Sequence, residues 1–299
     1  GVPDQQAGRP QSDPPGGPGQ DRSEQVTAEV NNDESQGCVA ERLFSCAAVG
    51  SLALEVALVV AVLVAMIVYA DLATFWRCLS SPETLFSIRL TMVTVTLSTL
   101  ISMLLAVPAA YALSNYRIPL ARLVDTLLDL PIVLPPVAAG LALLVLFGYY
   151  LGEPMERFGM FLPHTQAGIV VAQLFGTMTF AVRSVKAALD SVPPRLGHVA
   201  RTLGSNRWRT FRRVTLPLAR NGLIAGAVLS WARCLGLFGP VVMFCGATRF
   251  RTEILPTAIF LNNSVGRLEE AVAGTLILLL LAVLTLVVFK RLGGKGYLW

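Results

Sequence analysis

The stretch from His198 to Pro217, HVARTLGSNRWRTFRRVTLP, joins basic, apolar and turn-forming residues at a spacing suited to docking. Ala200 stands four residues before Gly204, Val214 ten residues after it, and Leu216 and Pro217 follow closely. Between Asp190 and Arg220 there are seven arginines and one acid, Asp190. Four chemistries compete for such a run. Arginines can hold anionic lipid headgroups, each adding on the order of 1 kcal/mol near a charged membrane. They can act only as a topology signal. They can bind nucleic acid, but no DNA- or RNA-binding module accompanies them. Or the run can fold and dock on a partner.

The local pattern favours docking. Pro193 and Pro194 suit the first turn of a helix. Leu196, Val199 and Leu203 then recur at spacings of three and four and form one apolar face. Gly204 ends that helix, as glycine does where a left-handed residue is required. The segment from Arg207 to Arg213 suits a second, interfacial helix, which Pro217 stops. A helix-turn-helix of this kind can lay its apolar face into a partner's groove.

Few other residues offer chemistry. Arg233 lies inside an apolar stretch, where insertion of a charge costs about 2.5–3.5 kcal/mol. It is either a positive point on a path taken by an anion or the partner of an acid on another helix, with Asp129 and Asp125 nearest by depth. His164 and His198 are the only histidines. Both fall in loops without further ligands, so they read as solvated, and no metal site is expected. The five cysteines are scattered, odd in number and free of CxxC spacing, which argues against a disulfide framework. No GxxxxGK[ST], GxSxG or HExxH pattern occurs, so the chain offers neither an ATPase site of that type nor a hydrolytic one. It reads as a non-enzyme that binds no cofactor itself.

These residues sit in a chain of 299, of which 54% are hydrophobic and 14% charged. Mean hydropathy is +0.62. A soluble domain carries about 25% charged residues, so the deficit points to lipid. Six stretches approach the roughly 20 apolar residues that a membrane helix needs. They are Leu52 to Ala70 (Glu55 near its start), Leu90 to Leu113, Leu130 to Tyr150, Ala167 to Leu189, Gly222 to Cys245 and Ala271 to Phe289. Barrel-like alternation is missing, and a helix satisfies its own backbone in lipid. The fold class is therefore an all-α membrane protein with six transmembrane helices. With a cytoplasmic amino terminus, the inside loops hold twelve lysines and arginines and the outside loops five. The positive-inside rule then places both termini and the basic loop in the cytoplasm.

Residues 1–45 hold eight of the nineteen acids and few large apolar side chains, so they are expected to be disordered. They lack the basic start of a signal peptide, and a retained first span is expected. Residues 46–292 form the membrane domain, with the loop at 190–220, and 293–299 a short tail. Gly222 and Gly226 form a GxxxG, followed by Gly236 and Gly239; this marks either a helix–helix or dimer interface, or chance. Pro108, Pro131, Pro135 and Pro136 break helices where a gate could bend, although membrane helices also carry proline without that role.

The loop spacing resembles the cytoplasmic "EAA" loop of ABC-importer permeases, with His198 and Val199 standing where that family has glutamate and alanine. The resemblance runs over nearly all of Leu85 to Leu292 and looks closest to molybdate, tungstate and sulfate permeases. LLDLPIVLPPVAAGLALL from Leu127, GIVVAQLFGTMTFAVRSVKAALDSVPPRL from Gly168 and SVGRLEEAVAG from Ser264 carry it. It implies a type I, MetI-like bundle that moves an oxyanion, with molybdate first and tungstate, sulfate or thiosulfate as alternatives. His198, Val199, Ala200, Gly204, Val214, Leu216 and Pro217 would couple it to two cytoplasmic ATPase subunits that bind the ATP and Mg. A second permease chain, often a copy of the first, and an extracytoplasmic oxyanion-binding protein would complete it in the cytoplasmic membrane, without nucleic acid. A second departure is Leu237, where the family's fifth span commonly has an acid. A self-sufficient secondary transporter or anion channel is the rival reading; it calls for carboxylates or histidines inside several spans. A membrane-embedded enzyme would need a His or Asp cluster, which is missing.

Overall fold

A computed structural model describes residues 20–116, 119–159 and 161–292, and the described backbone is helical without strands. The helices are α1 (Gln20–Tyr69), α2 (Leu72–Ser80), α3 (Pro82–Asn115), α4 (Ala121–Val133), α5 (Pro136–Leu144) and α6 (Gly152–Glu156). They continue with α7 (Gln166–Asp190), α8 (Pro194–Thr202), α9 (Arg207–Thr210), α10 (Leu216–Leu218) and α11 (Arg220–Leu235). The last three are α12 (Gly239–Cys245), α13 (Leu255–Ser264) and α14 (Leu268–Leu292). Wide π turns follow α5 at Val145–Tyr150 and α9 at Phe211–Thr215.

Among the described residues, four stretches are long and apolar enough to cross a membrane unbroken: Phe44–Tyr69, Pro82–Asn115, Gln166–Asp190 and Leu268–Phe289. Two further spans are bent pairs, which brings the number to six when each pair counts once. The expected third span, Leu130 to Tyr150, is not one helix: α4 and α5 meet at 108°. Pro135 and Pro136 cause the break, because proline removes a backbone donor and clashes with the preceding turn. The fifth span breaks by 57° between α11 and α12. That break falls after Leu235, two residues past Arg233.

The backbone divides between residues 65 and 66 into two units. In the first unit, the membrane-length part of α1 starts at Phe44, eight residues before the expected Leu52. Glu55 therefore stands near mid-span instead of at the start. Residues 1–19 of the segment expected to be disordered lie outside the described residues, as does the tail 293–299. From Gln20 to Tyr69 the described backbone is one helix. A formed helix extends at small cost per residue once its nucleus exists.

In the second unit α7 packs between α3 and α11. Ala106 and Ala110 of α3 meet Ala181, Val185 and Ala188 of α7 in one buried cluster. Small side chains let membrane helices approach closely. The GxxxG serves that packing inside the chain, so the dimer reading does not apply to it: a Cβ on Gly222 would lie 2.6 Å from Ala188 Cβ, and one on Gly226 would lie 2.8 Å from Ser184 Cβ. A second close approach joins the two bent pairs. A Cβ on Gly140 of α5 would come 2.7 Å from the Pro240 carbonyl oxygen, and one on Gly239 would come 2.8 Å from Pro136 Cβ. Leu237 is buried in the break between α11 and α12, where a Cβ on Gly176 would fall 2.6 Å from its Cδ2.

Between α3 and α7 runs a polar seam that hydropathy conceals. Thr91, Thr94, Ser98 and Ser102 are buried on one face of α3. Ser98 Oγ lies 3.0 Å from Gln173 Oε1, and Ser102 Oγ lies 3.3 Å from Thr177 Oγ1. Thr91 Oγ1 accepts the Leu255 backbone N–H at 2.9 Å, which ties the start of α13 to α3.

Candidate functional site

The basic loop folds as two short helices around one left-handed residue. Gly204 has φ +84°, a conformation that costs a residue with a side chain about 1–2 kcal/mol. Its N–H donates to the Arg201 carbonyl at 3.0 Å, and the Ser205 N–H donates to the Ala200 carbonyl at 3.1 Å. That pair of bonds is a Schellman closure, which satisfies carbonyls left open at a helix end. Asn206 then caps α9, its Oδ1 accepting the Arg209 N–H at 2.8 Å. Phe211 anchors the loop: its buried ring meets Tyr111 of α3 edge-on, with centroids 4.7 Å apart.

The structure brings the expected loop residues together and gives them different jobs. Leu196, Val199 and Leu203 stay exposed along one side of α8. Gly197, His198 and Arg201 lie on the opposite side and line a cavity of about 520 Å³ beneath the helix. Ala200 contributes its carbonyl to the turn. Val214 and Leu216 are half-buried, and Leu216 packs on the α3–α7 cluster. Pro217 is exposed on α10. The cavity was not legible in the sequence, because its walls come from α3, α8 and α9 at once.

Of the two readings of Arg233, the ion pair with Asp125 or Asp129 is not formed. Arg183 of α7 takes both acids instead: its Nη1 lies 2.8 Å from Asp125 Oδ1, while Nε and Nη2 reach Asp129 at 3.1 and 2.7 Å. The paired carboxylates, four residues apart on α4, signal such a clamp, but depth alone does not say which arginine faces them. Arg233 is exposed two residues before the end of α11, its guanidinium 4.7 Å over the Phe180 ring. Such a cation–π contact is worth about 0.5–1 kcal/mol at an exposed site.

His164 Nδ1 lies 3.3 Å from the Cys245 carbonyl oxygen. Among the described residues, no group of three His, Cys, Asp or Glu side chains could hold a metal ion.

The opposite end of the bundle holds a cavity of about 250 Å³ lined by Arg77, Glu83, Arg249, Glu253, Arg267 and Glu270. Glu253 is buried and its Oε2 lacks a hydrogen-bond partner. Burial pushes its carboxyl above the ordinary range, opposed by Arg249 and aided by Glu83. A carboxyl raised in this way holds its proton more tightly folded than unfolded. It therefore favours folding at low pH, and stability falls as pH climbs above the ordinary carboxylate range. Glu253→Gln should raise the melting temperature at pH 7 by about 2–4 °C, the shift expected from roughly 1 kcal/mol, and flatten its pH dependence. Melts of both proteins across that range check this; parallel curves would refute it.

Comparison with known proteins places this geometry. The family model described as "Binding-protein-dependent transport system inner membrane component" matches residues 98–294. The sulfate transport system permease protein CysT of Escherichia coli (strain K12) is 34% identical over 193 residues, covering 64% of this chain and 69% of that one. The molybdenum transport system permease protein ModB of Mycobacterium tuberculosis (strain ATCC 25618 / H37Rv) is 36% identical over 224 residues, covering 74% and 84%. Among solved structures, a bacterial alginate ABC transporter with its periplasmic protein shares the fold with a TM-score of 0.69 at 17% identity, covering 89% and 98%. The MetNI methionine ABC transporter shares it with a TM-score of 0.57 at 18% identity, covering 69% and 93%. A match running from α3 to the end of α14, with relatives more than a third identical over most of their length, shows that the chain belongs to the family of inner-membrane components of binding-protein-dependent transport systems.

Proposed function

We propose that the chain is the membrane-spanning permease subunit of an ABC importer for an oxyanion, driven by ATPase subunits that dock on α8. The observation that carries this reading is the free apolar face of α8, with Leu196, Val199 and Leu203 exposed on the side away from the bundle. A helix face of that kind matches helix-in-groove recognition. The seven coupling positions from His198 to Pro217 would work through it, with ATP and Mg held by the partner. The family description supplies the second support, since such transport depends on a separate binding protein.

The substrate class rests on the relatives: their names give sulfate for CysT and molybdenum for ModB. We infer molybdate first, with tungstate, sulfate and thiosulfate as alternatives. The lysine and arginine distribution supports a cytoplasmic loop and cytoplasmic termini. A second copy of the chain would complete the path. Stimulation of ATPase activity by each oxyanion, in a reconstituted complex with its binding protein, tests the reading. Stimulation by none of the four would overturn the oxyanion class.

Arg233 is our candidate on the translocation path. It stands beside the break between α11 and α12 with no carboxylate partner among the described residues. Losing one charge-assisted contact to a dianion costs about 1.5–3 kcal/mol, or tenfold or more in rate. Arg233→Ala should therefore slow uptake into vesicles about tenfold while leaving the ATPase bound. Normal uptake by that variant would remove Arg233 from the path.

A further inference from the structure

We propose that the cavity beneath α8 is a binding site for a tetrahedral oxyanion of the phosphate type, separate from the transport path. Its lining carries more basic than acidic side chains. Arg201 and Arg207 both face it with His198, and neither arginine has a carboxylate partner among the described residues. The one acid in the wall, Asp190, is already taken by Lys186 at 2.5 Å. Guanidinium groups without a carboxylate partner suit phosphate or sulfate oxygens.

A second observation points to the same ligand. Thr210 is buried to 7% exposure, lines the cavity, and its Oγ1 has no hydrogen-bond partner. Burying a hydroxyl unpartnered is costly, and an oxyanion in the cavity gives it an acceptor. Ser114 of α3 adds a second hydroxyl to the wall. Tyr116 positions Arg207, whose guanidinium carbon lies 5.8 Å over its ring.

The placement gives the site a consequence. Arg201 belongs to α8, Arg207 and Thr210 to α9, and Ser114 to α3. An anion held among them bridges the docking helix to the membrane bundle and stiffens the joint that a partner must push. The apolar face of α8 stays free, because it points the other way. The anion can be a free oxyanion or the phosphate of an acidic phospholipid, since the chemistry is shared. The inference does not depend on which ion is transported.

The test uses the full chain in neutral detergent, titrated calorimetrically with sodium sulfate and sodium phosphate at fixed ionic strength. A parallel arm uses nanodiscs of phosphatidylcholine with or without phosphatidylglycerol, counting retained lipid by native mass spectrometry. One sulfate or phosphate per chain, with affinity about tenfold weaker in Arg201→Ala and in Thr210→Val, assigns the site to a free oxyanion. Sulfate and phosphate inert, but one phosphatidylglycerol retained and lost in the Arg201→Ala/Arg207→Ala double variant, assigns it to a lipid phosphate. Thr210→Val keeps the side-chain shape, and a thermal melt of each variant verifies folding. Binding unchanged in every variant, binding lost only in Arg233→Ala, or no binding in either arm overturns the proposal.

Discussion

Val199→Asp combined with Leu203→Asp should detach the ATPase and cut uptake by about 100-fold or more. Both side chains are exposed in the isolated chain, at 56% and 81%, so docking is what would bury them. Fully burying a Val or Leu side chain is worth about 1.5–3 kcal/mol. Two such losses come to roughly 3–6 kcal/mol, and each 1.4 kcal/mol is tenfold in affinity. Two carboxylates forced into an apolar groove add a desolvation cost. The fold should be indifferent, because exposed substitutions usually shift stability by no more than about 0.5 kcal/mol. Copurification of the ATPase with the tagged double variant is the measurement, and a complex as stable as wild type would defeat the docking role of α8.

The second large effect belongs to the bundle. Gly140→Ala should lower the melting temperature by roughly 5 °C and reduce transport, although it adds only one methyl group. That methyl would lie 2.7 Å from the Pro240 carbonyl oxygen and 2.8 Å from Met243 Cβ. The first is backbone, so the neighbour cannot swing aside and α12 itself must shift. Gly50 provides the contrast. It is also helical, but a Cβ there meets nothing within 4 Å. Gly50→Ala should therefore leave packing intact, and the gain in helix propensity is about 0.5–1 kcal/mol. If the two variants melt alike, the α5–α12 contact is not what holds the bent pairs together.

Much of the fold was legible because lipid leaves few options. Long apolar runs announced α3, α7 and α14, and the turn at Gly204 followed from glycine's freedom at positive φ. The breaks were harder. Pro135 and Pro136 announce a bend, but only packing on Pro240 and Gly239 sets it at 108°. The first span begins at Phe44 and not at Leu52, because an apolar helix long enough carries one acid, Glu55, near its middle. The ion pair went to Arg183 because hydropathy gives depth and not azimuth: the faces of α4 and α7 decide which arginine meets Asp125 and Asp129. The cavity under α8 stayed hidden for a related reason. Ser114 and Thr210 are ninety-six positions apart in the chain, and nothing in either neighbourhood names the other.

The polar seam between α3 and α7 has a mechanical consequence. Thr99 donates to the Val95 carbonyl of its own helix at 2.8 Å, and Thr177 to that of Gln173 at 2.7 Å. Such protons are placed whether or not the neighbouring helix is in register. Ser98 sends its proton across, to Gln173 or to the Val170 carbonyl, and Ser102 sends its own across to Thr177. Sliding α7 along α3 would therefore strand the two serines and leave the threonines bonded to their own helices. Along this seam the two serine hydroxyls are the polar restraint on register between α3 and α7.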